Sequence, residues 1–366
     1  MPFEHGSFAV TIFSLPEALP ENYLELFSKF KAGGLDSVKD EPQIGWASGQ
    51  DILETEINEG TAICGGMLYL GLRKVERKVP APFLNAVCKH AEAVYKRENH
   101  VPSISSKEKK EIKEKAIEEN IMKVAPAISS VPMVIDLKGK LLYLGANSPA
   151  QIDLFLGHFH TTFNMEPEQI TPDWYLANEF KVTAEDLPNV VFSAHNDGKV
   201  TTGRDFLTWL WYFSEQENGG TLKVAQYGEF GFQVESPLTF AVATKEASGA
   251  AENTLKNGNS PLRAAEAKAA LTVGKKLRKA KFILERGEDI WSGAFDADRF
   301  SFSGLMLPEG EEMEPESRFE ERIRNLYIFN TALGVYFRLF VKTLMSDKWG
   351  DEEEKIRQWV DSRETM

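Results

Sequence analysis

The sequence predicts an α+β fold in which mixed antiparallel sheets pack against helices. Short segments with alternating apolar and polar residues, typical of strands, occur from the first residues to beyond residue 300. Segments with helical spacing lie between them, without internal repeats and without the regular alternation that a parallel sheet requires. The chain has 366 residues, of which 42% are hydrophobic, so it can bury a substantial core.

The first part, residues 1–80, combines strands and short helices. Strands are predicted over Ser7–Leu15 and Ala62–Leu72, with a helix over Glu21–Lys31 between them. Gly65–Gly66 lies inside the second of these strands and indicates a bulge. Pro80 and the proline two residues later end this part.

The second part, residues 81–146, is predicted to contain two helices and a hairpin. Apolar residues follow a helical period over Phe83–Asn99. Ser105 and Glu108 form a capping-box pattern, which predicts the start of a lysine-rich helix. Val131–Gly145 then predicts a β-hairpin with a Lys-Gly turn.

The third part, residues 147–366, returns to a mixture of strands and helices and ends in an acidic tail. Its predicted elements are a helix opened by Ser148–Pro149, a strand over Val190–Ala194, an aromatic helix over Arg204–Ser214, a hairpin around Gly228, a helix over Pro261–Val273, an antiparallel meander over 275–307 and a long helix over Glu316–Met345. The aromatic residues of 204–214 cover every side of their helix, which indicates burial and not a base-stacking surface.

Strong short motifs of catalysis are absent: the chain has no P-loop, no GxGxxG after a strand, no HExxH and no GxSxG. We therefore expect a protein that is not an enzyme and needs no cofactor. Its two cysteines give no disulfide framework and no metal-type spacing. With no long apolar run and no signal-peptide pattern, we expect a cytoplasmic protein that does not enter a membrane.

Weaker patterns have structural interpretations that we favour. His158 and His160 point in different directions on a helix, so they do not predict a metal site. Asp296 and Asp298 resemble a magnesium-binding pair but lie between two predicted strands, where acidic turn residues are common. The sequence His195–Gly198 is typical of a turn.

Positive charge is confined to two stretches of an acidic chain. The net charge is −13, yet residues 67–145 contain 15 basic and 9 acidic residues, and residues 255–282 contain 8 basic and 1 acidic. Such a distribution is typical of one basic surface on an otherwise anionic protein. A solvated, salt-bridged surface without a ligand is the alternative, especially on the lysine-rich helix.

The candidate DNA-contacting residues come from these stretches. They are Arg73, Lys74, Arg77, Lys78, Lys107, Lys109, Lys110, Lys113, Lys123, Lys275, Lys276, Arg278, Lys279 and Lys281. The segment 275–281 contains no acidic residue. On a strand, Lys275, Leu277, Lys279 and Lys281 are expected to share one face and to follow a row of phosphates.

The order of these segments resembles that of the recombination-associated protein RdgC family. The resemblance begins at Gly45–Trp46, passes through the basic link to Pro80–Pro82 and the two helices, and reaches a hairpin that begins Met133–Asp136. It resumes at Gly274–Lys276 and continues through the meander to the helix over Arg324–Met345. It covers most of residues 40–350.

Several properties are implied by the resemblance alone. They are a homodimer that closes into a ring, double-stranded DNA bound in a basic channel without sequence readout, association with the nucleoid, and control of a recombinase during recombination and replication-fork repair. Single-stranded DNA is a further possible ligand. Lys245, within Thr244-Lys245-Glu246, occupies the place of a family DNA contact.

The sequence leaves two other functions open. Acidic segments such as Glu309–Glu316 and Asp351–Glu354 are compatible with an interaction module that binds a basic partner or mimics DNA. A magnesium-dependent nuclease built on Asp296 and Asp298 is the third possibility. DNA binding through about six to eight phosphates predicts an affinity loss of about three to four orders of magnitude between 50 and 200 mM salt.

Overall fold

A computed structural model describes residues 2–39, 41–193, 200–216, 218–242, 250–256, 261–310 and 314–363, and their fold is α+β, as predicted. The strands are β1 Phe8–Ser14, β2 Gln43–Ser48, β3 Ile63–Cys64, β4 Met67–Glu76, β5 Ala127–Asp136, β6 Leu141–Leu144, β7 Glu168–Gln169, β8 Thr221–Val224, β9 Gly228–Ala241, β10 Glu252–Leu255, β11 Lys276–Arg286, β12 Asp289–Asp296 and β13 Ser301–Met306. The helices are α1 Tyr23–Lys29, α2 Glu59–Ala62, α3 Ala81–Glu98, α4 Ser106–Ile121, α5 Pro149–Phe163, α6 Pro172–Tyr175, α7 Thr202–Ser214, α8 Ala265–Thr272, α9 Pro315–Leu344 and α10 Trp349–Ser362.

One sheet connects all the strands of the described residues. Its main path runs β10-β9-β11-β12-β13-β1-β6-β5-β4-β2, and β1 joins the two halves by pairing with both β13 and β6. The predicted division at residue 80 falls inside this sheet, because β4 pairs with β5 from Leu68 opposite Ile135 to Glu76 opposite Ala127. Residues 1–80 and 81–146 therefore share one sheet, and α3 and α4 are inserted between two of its neighbouring strands.

Two hydrophobic cores lie on opposite faces of the sheet, and β1 contributes to both. Val10 and Ile12 enter the larger core with α7 and α9, whereas Phe13 enters the smaller core, where α1 and α5 pack. This division follows from the alternation of side chains along a strand. Helix α9 also reaches the first half of the sheet, where its Phe319 ring stacks on Tyr69 with ring centroids 4.7 Å apart.

The second half of the sheet has helices packed on one face. On β11, Ala280 and Phe282 are buried, and the Phe282 ring stacks on Phe329 of α9. Lys279 and Lys281 point to the other face, where their side chains are 42% and 44% exposed. We call this second surface, on β9, β11, β12 and β13, the open sheet face.

Two local predictions are wrong. Gly65 and Gly66 have φ angles of 52° and 74° and form the turn between β3 and β4, in place of a bulge. Glycine adopts such positive φ angles at no steric cost. Residues 190–193 form no strand in the described structure, although Val190 and Phe192 are buried in the larger core. Apolar content there reflects packing and not strand pairing. Ala194 and the predicted turn His195–Gly198 lie outside the described residues.

Candidate nucleic-acid interface

Helices α3 and α4 form a helical hairpin, residues 81–121, inserted between β4 and β5. None of the 18 residues of α3 is buried, and the neighbour against which α3 packs is α4. Helix α4 buries Ala116, Asn120 and Ile121, which lie towards its end near the sheet. The outer surfaces of both helices are therefore accessible to a ligand.

Hydrogen bonds at the start of α4 hold the two helices of the hairpin together. The Ser105 hydroxyl accepts a bond from the Glu108 amide, and the Glu108 carboxylate accepts bonds from the Ser105 amide and hydroxyl, which confirms the predicted capping box. The Tyr95 hydroxyl of α3 donates to the same carboxylate over 2.6 Å. Bonds from Ser105 and then Tyr95 lower the pKa of Glu108 to about 2, so this carboxylate stays ionised near neutral pH.

Three lysines of α4 form a stripe along one face. Lys109, Lys110 and Lys113 are three and four residues apart, so they lie on one face, and all three are exposed. The adjoining face carries Glu111, Glu114 and Glu118, together with Lys107, which lies 4.0 Å from Glu111. The hairpin thus presents a basic stripe although its overall charge is nearly balanced.

Ion pairs on α4 are weak. Lys107, Lys110 and Lys115 lie 3.7–4.0 Å from glutamates four residues later, and these lysine side chains are 76–87% exposed. Such pairs contribute about 0.3–0.5 kcal/mol. Lys109 and Lys113 form no ion pair with any described residue. Near the sheet, Lys123 donates to the Asn120 side chain over 3.1 Å.

The sequence analysis missed three cations on α3. Lys89, Lys96 and Arg97 are exposed, and they form no ion pair within the described part of the chain. Lys89 and Lys96 are seven residues apart, so they share a face, opposite the apolar residues that predicted this helix. The sequence could have indicated these cations, because a helix that packs against a single partner with its apolar side exposes the residues of its polar side.

Two of the four residues in the basic cluster at the end of β4, Arg73 and Arg77, bind backbone carbonyl groups. Arg73 is 2% exposed and donates to the carbonyl oxygens of Ile52 and Gly33, so its predicted phosphate contact is wrong. Lys74 pairs with Glu76 at 2.8 Å. Arg77 donates to the Val124 carbonyl and thereby ties the end of β4 to the residues that follow α4. Among the four predicted residues, Lys78 alone is exposed.

The geometry of the 275–281 cluster differs from the predicted row of cations. Lys275 precedes β11, and its ammonium group donates to the Ala250 carbonyl. A register shift follows Leu277, which is fully buried on the core side. Lys279 and Lys281 therefore share a face with each other but not with Leu277.

Acidic side chains from other elements neutralise this cluster. Lys276 is buried in an ion pair with Asp205 of α7 at 2.5 Å, so its predicted phosphate contact is wrong. The remaining pairs are Arg278 with Glu252 and Asp298, Lys279 with Asp296 at 2.8 Å, and Lys281 with Glu235 at 3.2 Å. The acid-free segment of sequence is thus a charge-balanced region of the folded chain. Lys245 lies outside the described residues.

Asp296 and Asp298 form the predicted turn. Asp296 accepts hydrogen bonds from the amides of Asp298 and Arg299, and Asp298 accepts two bonds from Arg204. Each carboxylate also contacts a cation of β11. Within the described ranges no group of three or more His, Cys, Asp or Glu residues is placed to hold a metal ion.

His158 is a packing residue. Its ring lies 5.2 Å from the Trp46 ring, and burial lowers its pKa. The aromatic residues of α7 are buried as well, with Phe206, Trp209 and Trp211 at most 2% exposed, so they do not form a stacking surface. Among the described residues no helix is both long enough and apolar enough to cross a membrane.

Comparison with known proteins leaves the chain without an assigned family. No family model matches it, and no curated protein matches it significantly.

Proposed function

We propose that the chain is a sequence-independent double-stranded DNA-binding protein that contacts phosphates with its helical hairpin. The observation that supports this most strongly is the stripe of Lys109, Lys110 and Lys113, exposed and at most weakly paired on a hairpin inserted into the sheet. Lysines of this kind neutralise phosphates and release condensed counterions. Such contacts position a duplex without reading its bases.

Lys89 and Lys96 extend the proposed contact surface onto α3, and Lys78 is exposed at the adjoining end of β4. The cations of β11 contribute less, because each is paired with a carboxylate that would be brought close to the phosphates. Because the whole chain has a net charge of −13, the rest of the molecule is strongly acidic, which keeps DNA away from other surfaces. Binding of this kind needs no chemical step and no cofactor.

The biological role that we propose is control of recombination and repair of replication forks at the nucleoid, by encircling or clamping DNA. It rests on the resemblance of the segment order to the RdgC family. A homodimer that closes into a ring and contacts a recombinase belongs to the same proposal. Light scattering measures the dimer directly. Encirclement predicts that covalently closed circular DNA stays bound in high salt and that linearising this DNA releases it.

DNA binding itself is tested with two labelled duplexes of unrelated sequence, titrated with the full chain at 50 and 200 mM salt. We expect equal affinities for the two sequences and a steep loss at the higher salt concentration. No binding at 50 mM salt rejects the proposal, and binding to a basic protein under the same conditions would favour the acidic interaction module.

A further inference from the structure

A cavity of about 330 Å³ lies where the start of α5 meets the open sheet face. Its polar groups come from Asn147, Ser148, Lys279, Asp296, Arg299, Ser301 and Ser303. Helix α5 has 15 residues, and its dipole places partial positive charge at this end. The N-cap residue Ser148 forms no side-chain capping bond, so its hydroxyl is available to a ligand.

Ser301 points into this cavity. It lies opposite Asp296 on β12, which in turn lies opposite Lys279 on β11. Residues directly opposite one another on neighbouring strands project from the same face, so all three side chains lie on the open sheet face. The next residue, Phe302, points into the larger core.

The Ser301 hydroxyl lacks a partner. The residue is 2% exposed, and its side chain forms no hydrogen bond with any described residue. The hydroxyl is therefore able to donate to a water molecule or a ligand in the cavity. The Ser301 hydroxyl lines a cavity whose wall also contains the hydrogen-bond donors of Ser148, Ser303 and Arg299.

Positive charge predominates at the cavity. Arg299 is exposed and forms no ion pair within the described ranges. Asp296 is the acidic residue of the lining, and it is satisfied by Lys279 at 2.8 Å and by the amides of Asp298 and Arg299. Among the described residues of the lining, Arg299 is therefore the cation without an ion pair, beside a helix N-terminus and three serine hydroxyls.

We propose that this cavity binds a phosphate group, held by Arg299 and by the hydroxyls of Ser148, Ser301 and Ser303. Helix N-termini, arginine and hydroxyl donors are the groups that proteins combine around phosphate oxygens. A backbone phosphate of DNA and a free phosphate compound offer the same chemistry. The site does not depend on the hairpin, so it stands or fails separately from the DNA-binding proposal.

Inorganic phosphate is the probe for the full chain, titrated calorimetrically against chloride at matched ionic strength. Arg299→Ala should weaken phosphate binding about tenfold or more, because it removes a charge-assisted hydrogen bond. Arg324→Ala is the matched control, because Arg324 is an exposed residue of α9 that does not line the cavity. Its phosphate affinity should equal that of the parent chain.

Ser301→Ala separates ligand binding from folding. It removes a hydroxyl that forms no hydrogen bond with a described residue, so the unfolding temperature without phosphate should hardly change, while phosphate binding weakens. No phosphate binding by the parent chain, or equal losses in the Arg299 and Arg324 variants, overturns the proposal. If phosphate binding is present but duplex DNA does not bind, the cavity stands and the DNA-binding proposal fails.

The source of the phosphate follows from the same variants. A parallel loss of duplex affinity in Arg299→Ala identifies a DNA backbone phosphate as the ligand. Loss of phosphate binding with unchanged duplex affinity identifies a free phosphate compound. Either result supports the cavity as a phosphate site.

Discussion

Neutralising the basic stripe of α4 should remove most of the affinity of the hairpin for DNA. The change is Lys109→Gln, Lys110→Gln and Lys113→Gln together. If each lysine neutralises one phosphate, the slope of log K against log salt should fall in magnitude by about 2.7. At 0.1 M salt this corresponds to an affinity about 500-fold lower.

Stability should hardly change in this triple variant, because the three side chains are exposed and pack in neither core. Lys110 alone of the three has an ion pair in the described structure, with Glu114 at 3.7 Å, and it is worth about 0.3–0.5 kcal/mol. Thermal unfolding and circular dichroism establish that the hairpin remains folded, so that a binding defect can be attributed to charge.

The matched control removes three negative charges from α4, whereas the lysine variant removes three positive charges. Glu111→Gln, Glu114→Gln and Glu118→Gln break the same Lys110–Glu114 pair but make the hairpin more positive. Fluorescence anisotropy of a labelled duplex between 50 and 200 mM salt should show tighter binding for this control and weaker binding for the lysine variant. Equal effects of the two variants, or an unchanged salt slope in the lysine variant, would refute the assignment.

Three further predictions concern stability. Gly45→Ala should lower the free energy of unfolding by about 1–3 kcal/mol in denaturant titrations, because its Cβ would lie 2.6 Å from the backbone of Ala32. Lys276→Met should cost about 3–5 kcal/mol near neutral pH, because it leaves the buried Asp205 carboxylate without its cation. Burial raises the pKa of Asp205, so ionisation of this carboxyl group opposes folding. The loss of stability caused by Lys276→Met should therefore grow as the pH rises from about 4, and thermal unfolding at pH 5 and pH 8 measures this difference. Ser105→Ala should destabilise the start of α4 by about 1 kcal/mol, which appears as faster amide hydrogen exchange there.

The elements that the sequence predicted correctly have strong local signals. Apolar residues at helical spacing predicted the helix that is α3, and the serine-glutamate pattern predicted the start of α4. The 275–307 segment forms the predicted meander of β11, β12 and β13. Val190 shows the limit of this reasoning, because a buried apolar residue outside any strand has the same local sequence as a strand residue.

Strand order was not predictable, because it depends on contacts between distant parts of the chain. The pairing of β1 with both β13 and β6 joins Phe8 to Leu305 and Thr11 to Leu144, and no local pattern records these partners. The sequence for the same reason does not show that a sheet continues across the division at residue 80. A proline-rich link marks the exit from the sheet to the hairpin, and it looks the same in sequence as a link between domains.

The candidate site shows why a count of charges along the sequence does not locate a DNA surface. Lys279 and Lys281 appear unopposed in sequence, but neighbouring strands place Asp296 and Glu235 beside them at 2.8 and 3.2 Å. On a helix surface, the side chains next to a given residue are three or four positions away in the sequence. Its charged neighbours can therefore be identified from the sequence. The stripe of Lys109, Lys110 and Lys113 on α4, like the exposed cations of α3, is therefore a charge pattern that the sequence alone could have revealed.

A paired cation is also a poorer phosphate ligand than a free one. A phosphate that approaches Lys281 must also approach Glu235, and at 4 Å two like charges repel by about 1 kcal/mol in water and by more near a protein surface. Lys109 and Lys113 impose no such cost, because no described carboxylate pairs with them. Replacing Glu235 by Gln should consequently raise the affinity of the open sheet face for DNA, whereas replacing Lys281 by Gln should lower it only slightly. If Lys281→Gln instead weakens binding as much as a hairpin lysine does, the open sheet face is part of the DNA path and the ion pair yields to phosphate.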